Sequence, residues 1–307
     1  MKDFDLLVIG EINPDLILTG DDIDPVYGQV EKLVESATTT IGSSSVIMAC
    51  GAARLGLRTA FIGLVGDDIF GRFMLEAMQD RGIDTAACVV DPAVKTGMSV
   101  ILARPGGDRA ILTYMGSIPE LGSVHIDTTF FSRVRHLHVG GYFLLDQLRP
   151  ALPELFRVAQ DLGPSTSLDT NWDPRGIWDV GSILAHCDLF LPNEMEARHI
   201  SGQANLPAAL DALVETVPTL AVKLGALGGL VRHGATTVQL PPPAVEVVDT
   251  VGAGDSFDAG FIYGFLNHWP LERTLRLALA CGSLSTRASG GIDAQPTLEE
   301  AKKWLKE

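Results

Sequence analysis

The stretch Val247-Val248-Asp249-Thr250-Val251-Gly252-Ala253-Gly254-Asp255-Ser256-Phe257, continued by Asp258-Ala259-Gly260-Phe261-Ile262-Tyr263-Gly264-Phe265-Leu266, is the most informative part of this chain. Apolar residues recur at 257, 261 and 265, with 262 and 266 beside them, which is the spacing of one face of an α-helix. That helix is expected to begin near Gly254, behind a glycine-rich turn. The turn would present the backbone N–H groups of Gly252, Ala253 and Gly254 at the positive end of the helix dipole, where glycine lets an anion approach closely. Asp255, in the first helical turn, reads in two ways: as a simple helix cap, or as a base beside an anion hole. The second suits phosphoryl transfer, in which catalysis is mostly positioning, charge neutralisation and a base near the attacking hydroxyl.

Away from this stretch, short apolar runs such as Leu6-Leu7-Val8-Ile9, Leu137-His138-Val139-Gly140, Ser167-Leu168-Asp169 and Leu189-Phe190-Leu191-Pro192 alternate with helical patterns. Helices are expected at 150–162, 194–200, 271–287 and 298–305. This alternation predicts a largely parallel sheet covered by helices, with ligands bound beyond the carboxyl ends of the strands. Two segments break the rhythm, 11–41 and 96–115, and read as β-hairpin material; the second includes the turn Arg104-Pro105-Gly106-Gly107-Asp108. With no linker-like or low-complexity run between them, residues 1–307 read as one α/β domain carrying these inserts.

The chain has 307 residues, 46% of them hydrophobic and 20% charged, with a mean hydropathy of +0.22, enough apolar surface for a large core. Its 23 basic residues face 38 acidic ones, a net charge of −15, which argues against nucleic acid or an anionic membrane as partner. A nucleotide would therefore need positive potential supplied locally, by backbone amides, a helix terminus or a divalent metal. The four cysteines, at 50, 88, 187 and 281, form no Cys-x-x-Cys pair and read as buried free thiols. The first residues lead directly into an apolar strand pattern without signal-peptide zones, and no apolar run has the length of a membrane span, so a soluble cytoplasmic protein is expected. The dinucleotide, P-loop, zinc-protease and serine-hydrolase motifs are all absent. The seven histidines have no ligand spacing, and His136 and His138 read as core or surface residues on a strand.

Asp249-Thr250-Val251-Gly252-Ala253-Gly254-Asp255 resembles the D-T-x-G-A-G-D signature of the ribokinase-like carbohydrate kinases, the phosphofructokinase-B group. The likeness runs along nearly the whole chain: Asn13-Pro14-Asp15, Gly42 through Gly56, Gly63-Leu64-Val65-Gly66-Asp67-Asp68 with Gly71, Thr96-Gly97, Asn193-Glu194-Met195-Glu196 and Lys223-Leu224-Gly225. It implies a ribokinase-like α/β fold with a small β-hairpin lid, made from the two inserts, that closes over substrate. The implied activity is transfer of the γ-phosphoryl group of ATP to a hydroxymethyl of a small sugar. In this family Asp255 would be the base and the Gly252, Ala253 and Gly254 amides the anion hole. Asn193 and Glu196 would organise Mg²⁺ through water. ATP would lie against Lys223, Gly225, Thr250, Ala280 and Ser283, with adenine near 280–283 and the Gly290-Gly291 loop. Asp249 and Val251 would hold a monovalent cation, with potassium activation implied, and lid strands would pair two subunits into a homodimer.

The sugar side departs from the family pattern. Relatives read G-G-x-x-x-N, but the segment here is Gly42-Ser43-Ser44-Ser45-Val46-Ile47, so isoleucine replaces a hydroxyl-binding asparagine. Asn13, Asp15, Gly42, Ser43 and Asn171 are the expected substrate contacts, with Ser43 to Ser45 as alternative hydroxyl partners. In the stretch Asp169 to Trp178, Arg175 is displaced by two positions from the arginine of fructokinase and 2-keto-3-deoxygluconate kinase relatives. The sequence leaves open a nucleoside kinase, to which Ile47 and Phe143 could be suited, and a protein that binds sugar or nucleotide without turnover.

Overall fold

The computed structural model describes residues 2–104 and 108–305. Of the turn expected at 104–108, Pro105, Gly106 and Gly107 lie outside the described residues. In chain order the first strands are β1 (Phe4–Ile9), β2 (Pro14–Thr19), β3 (Ser36–Ile41), β4 (Thr59–Ile62), β5 (Leu64–Gly66), β6 (Ile83–Asp84), β7 (Val89–Asp91) and β8 (Met98–Ala103). They are followed by β9 (Arg109–Tyr114), β10 (Val134–Val139), β11 (Ser165–Leu168), β12 (Leu189–Phe190), β13 (Thr219–Lys223), β14 (Gly229–His233) and β15 (Thr236–Leu240). The α-helices are α1 (Ser44–Arg54), α2 (Ile69–Asp80), α3 (Leu152–Leu162), α4 (Glu194–Ser201), α5 (Leu206–Val214), α6 (Ala253–Leu266), α7 (Leu271–Ser285) and α8 (Leu298–Lys302).

Nine strands form the central sheet in the order β15-β14-β13-β12-β11-β10-β1-β4-β6. Neighbours from β6 through β13 run parallel, and β14 and β15 continue antiparallel at one edge. Both faces are covered, which is why the strands read as nearly continuous apolar runs. Leu6 and Val8 of β1 point into a core shared with α1, α2, α6 and α7, while Leu7 and Ile9 point into a second core with α3 and α5. The chain builds outward from β1 through β4 to β6, then returns to β10 and builds the other way. The crevice at such a switch in strand order, outside the carboxyl ends of β1 and β10, is where open α/β sheets bind ligands.

The two segments that interrupt the alternation meet in a separate four-stranded sheet, β3-β2-β8-β9. Each contributes an antiparallel pair, and the pairs are joined by parallel pairing of β2 with β8, from Asp15 opposite Ser99 to Thr19 opposite Ala103. This long-range join has no local signature. A two-stranded β5–β7 sheet is also invisible to periodicity, since β5 and β7 have three residues each.

Helices α6 and α7 pack so closely that a Cβ on Gly260 would lie 2.9 Å from the Ala278 Cα. The cysteines are unpaired; Cys50, Cys187 and Cys281 are buried and Cys88 is partly exposed. Burial pushes the Cys50, Cys88 and Cys281 thiols up to about 12, so they behave as small apolar residues. His136 and His138 are fully buried, on the α6 side of the sheet. Ser167 Oγ joins His136 Nε2 at 2.6 Å and His138 Nδ1 at 2.7 Å, and Ser165 Oγ meets His136 Nδ1 at 2.7 Å. Burial drives both histidines down to about 3, against an opposing pull from Asp169 at His138, so they remain neutral core groups. Among the described residues, no helix is long and apolar enough to cross a membrane.

Candidate active site at the carboxyl edge of the sheet

The glycine turn forms as expected, one residue earlier than the apolar spacing suggested. Gly252 is the N-cap of α6, with φ +70° and no side-chain capping bond. A Cβ there would lie 2.7 Å from the Gly291 Cα and 2.8 Å from Ile47 Cγ2, so both conformation and space demand glycine. The Ala253 amide turns back to the Thr250 carbonyl at 3.3 Å, which leaves the Gly252 and Gly254 amides as the more available donors. A cleft of about 720 Å³ opens over this helix end, and Lys223, Gly225, Thr250, Ala253, Gly254 and Ser283 all line it.

Ala280 does not line the cleft. It is buried in the core, whereas Leu279, Gly282, Ser283 and Thr286, the i, i+3, i+4, i+7 face of α7 and its end, line the wall instead. Gly282 serves close packing, since a Cβ would lie 2.9 Å from the Ala253 carbonyl. The Gly290-Gly291 loop likewise packs behind the turn against Ile47 and Gly252.

Asp255 is not a cap: among the described residues its carboxylate takes no hydrogen bond. Carboxylate oxygens of Asp169, Asp255 and Asp258 come within 4.8 Å of one another, an arrangement able to surround a cation. Lys223 stands among them, its Nζ 3.1 Å from Asp169 Oδ2 and 3.0 Å from Asp258 Oδ2. Burial opposes the Lys223 charge, but Asp169, Asp258, Glu196 and Asp255 outweigh it and hold the ammonium well above its ordinary range. At Asp169 burial opposes ionisation and Lys223 overcomes it, so this carboxyl sits below its usual range. Asp255 is pushed well above the ordinary carboxylate range, by burial first and then by Asp169, with Lys223 opposing.

Asn193 and Glu196 come together across the first turn of α4 as a reciprocal capping box. Glu196 Oε2 accepts the Asn193 amide at 2.8 Å, and Asn193 Oδ1 accepts the Glu196 amide at 2.9 Å. The acid of this cap is buried rather than solvated, and burial followed by repulsion from Asp169 raises it to about 7. Asp249 ties the turn to two distant elements: it accepts the Val251 amide and the Gly290 amide, both at 3.0 Å, and pairs with Arg109 of β9 at 3.3 Å. Arg109 thus joins the four-stranded sheet to the glycine turn.

On the opposite side of the crevice, Asn13 and Asp15 are buried, with Asn13 Nδ2 3.4 Å from Asp15 Oδ1 and 3.5 Å from Ser99 Oγ. A Cβ at Gly42 would overlap the Asp15 carboxylate. Burial lifts Asp15 to about 7, against a lowering pull from Arg109. Ser43 adopts φ +67°, uncommon for a residue with a side chain, and its hydroxyl is already engaged: it donates to the Glu11 carbonyl at 2.6 Å and accepts the Val46 amide at 3.2 Å. Its side chain therefore caps α1 instead of facing a ligand. Ser44 and Ser45 donate to the Glu11 carboxylate at 2.7 and 2.5 Å, and Asn171 Nδ2, on a residue at φ +56°, donates to Ser44 Oγ at 2.9 Å. Ile47 is buried and packs under Gly252 and Gly291. Phe143 is buried edge-to-face against Trp178, which stacks on His199. Arg175 is half exposed and pairs with Asp146 at 2.5 Å.

Three charged groups at this edge, Glu11, Arg109 and Asp258, were not singled out by sequence, and Asp169 entered only as the first residue of the 169–178 stretch. One signal was present: Asp258 is an acid inside the otherwise apolar face of α6. Arg109 had none, because its partner lies 140 positions away.

Residues 3–298 match the family model described as pfkB family carbohydrate kinase. An uncharacterized sugar kinase of Archaeoglobus fulgidus is 32% identical over 74% of this chain and 90% of its own length. A 5-dehydro-2-deoxygluconokinase of Geobacillus kaustophilus is 27% identical over 100% of this chain and 95% of its own. The crystal structure of a putative ribokinase II from Escherichia coli, in complex with ATP and Mg²⁺, superposes with a TM-score of 0.87 at 22% identity, over 99% of both chains. The fold is ribokinase-like, with the large, mostly parallel sheet flanked by helices.

Proposed function

This chain belongs to the pfkB family of carbohydrate kinases, phosphotransferases that act on an alcohol group, and from that premise we propose that it transfers the γ-phosphoryl group of ATP to a hydroxymethyl of a small sugar or sugar derivative. The observation that carries this reading is the convergence, at one helix end, of the Gly252 to Gly254 turn, the Lys223 ammonium and the free Asp255 carboxylate, beneath a cleft of about 720 Å³. In the proposed reaction, Asp255 takes the proton of the acceptor hydroxyl as its oxygen attacks the γ-phosphorus and the bond to the β-phosphate oxygen breaks. The Gly252 and Gly254 amides and Lys223 lie where charge on the transferring group is met, at sites that need no reorganisation. Gly225, Thr250 and Ser283, with Leu279 in place of Ala280, would border the nucleotide.

The donors at Asn193 and Glu196 suit magnesium: they are hard oxygens, and the raised Glu196 carboxyl would be favoured in its charged form by a nearby cation. When bound there through water, Mg²⁺ would supply charge neutralisation to the phosphates. At Asp249 and Val251 a potassium ion would share the Asp249 carboxylate with Arg109. The test is ADP release across pentoses, hexoses, keto-deoxy acids and nucleosides with Mg-ATP. We expect turnover with a sugar-type acceptor and its loss on chelation by EDTA; Mg-ATP binding with no turnover on any acceptor would sink the reading.

Asn13, Asp15, Gly42 and Asn171 would face the acceptor, and the enclosure of Phe143 by Trp178 supports a sugar over a nucleoside base. Asp15→Asn tests the acceptor side. Because the Asp15 carboxyl sits near 7 when folded and about 3.8 when unfolded, its burial lowers stability as pH rises from about 4 to about 7, with the full cost present above. The variant should melt higher than wild type at pH 8, with little difference at pH 4, yet raise the acceptor KM by about tenfold or more through the lost charged hydrogen bond. An unchanged KM would remove Asp15 from the acceptor site.

The β2-β3-β8-β9 sheet would act as the lid over the acceptor, excluding water. Its edge strand β9 exposes Ile111, Leu112 and Tyr114, an apolar surface suited to the lid of a second copy. Sedimentation should then give the mass of two chains.

A further inference from the structure

Lys223 ends β13, and its stem runs past the turn: a Cβ on Gly254 would lie 3.4 Å from Lys223 Cδ and 3.8 Å from its Nζ. The ammonium therefore reaches the helix end from below, beside the backbone that lines the cleft. Two carboxylates hold it there. Asp169 follows the end of β11, and Asp258 lies one helical turn beyond Asp255 on the sheet-facing side of α6. Asp258 is 1% exposed, its Oδ2 engaged by Lys223 and its Oδ1 without a hydrogen-bond partner. Such an arrangement is a poor stability device, since burying an ion pair with an unsatisfied oxygen costs as much as it returns, and an apolar residue would fit the α6 pattern. A geometric role explains its presence better.

We propose that Asp258 is a positioning residue for phosphoryl transfer: with Asp169 it clamps the Lys223 ammonium against the Gly254 backbone at the phosphate end of the cleft. The inference rests on the kinase reading, with Lys223 meeting the nucleotide phosphates. In a chain of net charge −15 the two acids add no positive potential of their own; what they fix is where one ammonium and its N–H donors stand at the phosphate end of the cleft. Neither acid touches substrate in this arrangement; both act through Lys223, which would otherwise be free to swing toward whichever partner remained.

The test is a double-mutant cycle between Asp258→Asn and Lys223→Met, read as kcat and KM for ATP and for the acceptor, with Mg-ATP affinity from calorimetry and Tm as the measure of fold. Asp258→Asn should lower kcat/KM for ATP by about 10- to 100-fold, the scale of a small misplacement of a catalytic group, while the acceptor KM stays within about twofold. In the Lys223→Met background the same change should cost less than about twofold, because there is no ammonium left to place. A merely structural role would give the same loss in both backgrounds, and that result overturns the proposal, as would wild-type kinetics for Asp258→Asn. Should the asparagine variant fail to fold, Asp258→Ser enters the same cycle with the same outcomes. A wild-type protein that neither binds Mg-ATP nor releases ADP would overturn the kinase reading and this inference together; an active wild type with a null cycle overturns the inference alone.

Discussion

Asp255→Asn is expected to lower kcat by about 10²- to 10⁴-fold, the range contributed by a positioned general base, while Mg-ATP binds within about twofold of wild type. Asparagine keeps the size of the side chain, and the carboxylate takes no hydrogen bond that the fold would miss. What it loses is basicity. Burial, together with the Asp169 charge, lifts Asp255 well above the ordinary carboxylate range, so its ionised form is a stronger base than an exposed aspartate. The sign of the pH effect follows: the protonated carboxyl cannot accept the hydroxyl proton, so wild-type kcat/KM should climb with pH as Asp255 ionises. The residual kcat of the variant, measured at saturating acceptor and Mg-ATP, should lack that climb. Coupled ADP release measured across pH checks both; turnover within tenfold of wild type would remove Asp255 from the role of base.

Gly252→Ala should cost about 10²- to 10³-fold in kcat, the scale of losing one anion-hole donor. The added methyl has nowhere to go: Gly291 Cα, Ile47 Cγ2 and the Gly291 carbonyl stand at 2.7, 2.8 and 2.9 Å, and alanine disfavours φ +70°. Either the turn rotates, re-aiming its amides, or the 290–291 loop and Ile47 retreat. Strain of this kind costs about 1–3 kcal/mol, so Tm should fall alongside activity. Pairing the change with Ile47→Val, which keeps Cγ2 but removes the Cδ1 methyl beside Gly291, gives the 290–291 loop room to retreat and should recover part of the Tm. A Gly252→Ala enzyme with full kcat would show that the turn does not aim donors at the reacting group.

The features legible in sequence are those whose cause is local. The start of α6 follows from a 3.6-residue apolar period behind two glycines, and the parallel sheet from short apolar runs alternating with helices; both depend on residues a few positions apart. The seven-residue signature and its companions along the chain likewise sufficed to indicate a carbohydrate kinase, through their resemblance to that family.

What tertiary structure alone decided is how groups far apart in sequence divide the work. The isoleucine at 47, which in sequence looked like a lost sugar contact, is a buttress beneath Gly252 and Gly291. Ser43, a candidate for the sugar, spends its hydroxyl on Glu11 and the α1 cap. Ala280 turns into the core because the packing of α7 on α6 chooses which face of the helix meets the cleft. Lys223 finds Asp169 and Asp258, 54 and 35 positions away, and Arg109 reaches Asp249 across 140. Periodicity records which residues are buried but not what they are buried against. Hydrogen-bond partners, ion pairs and the space left for a Cβ exist only once separate elements have packed together, and in this protein they determine which polar residues remain free to meet a ligand.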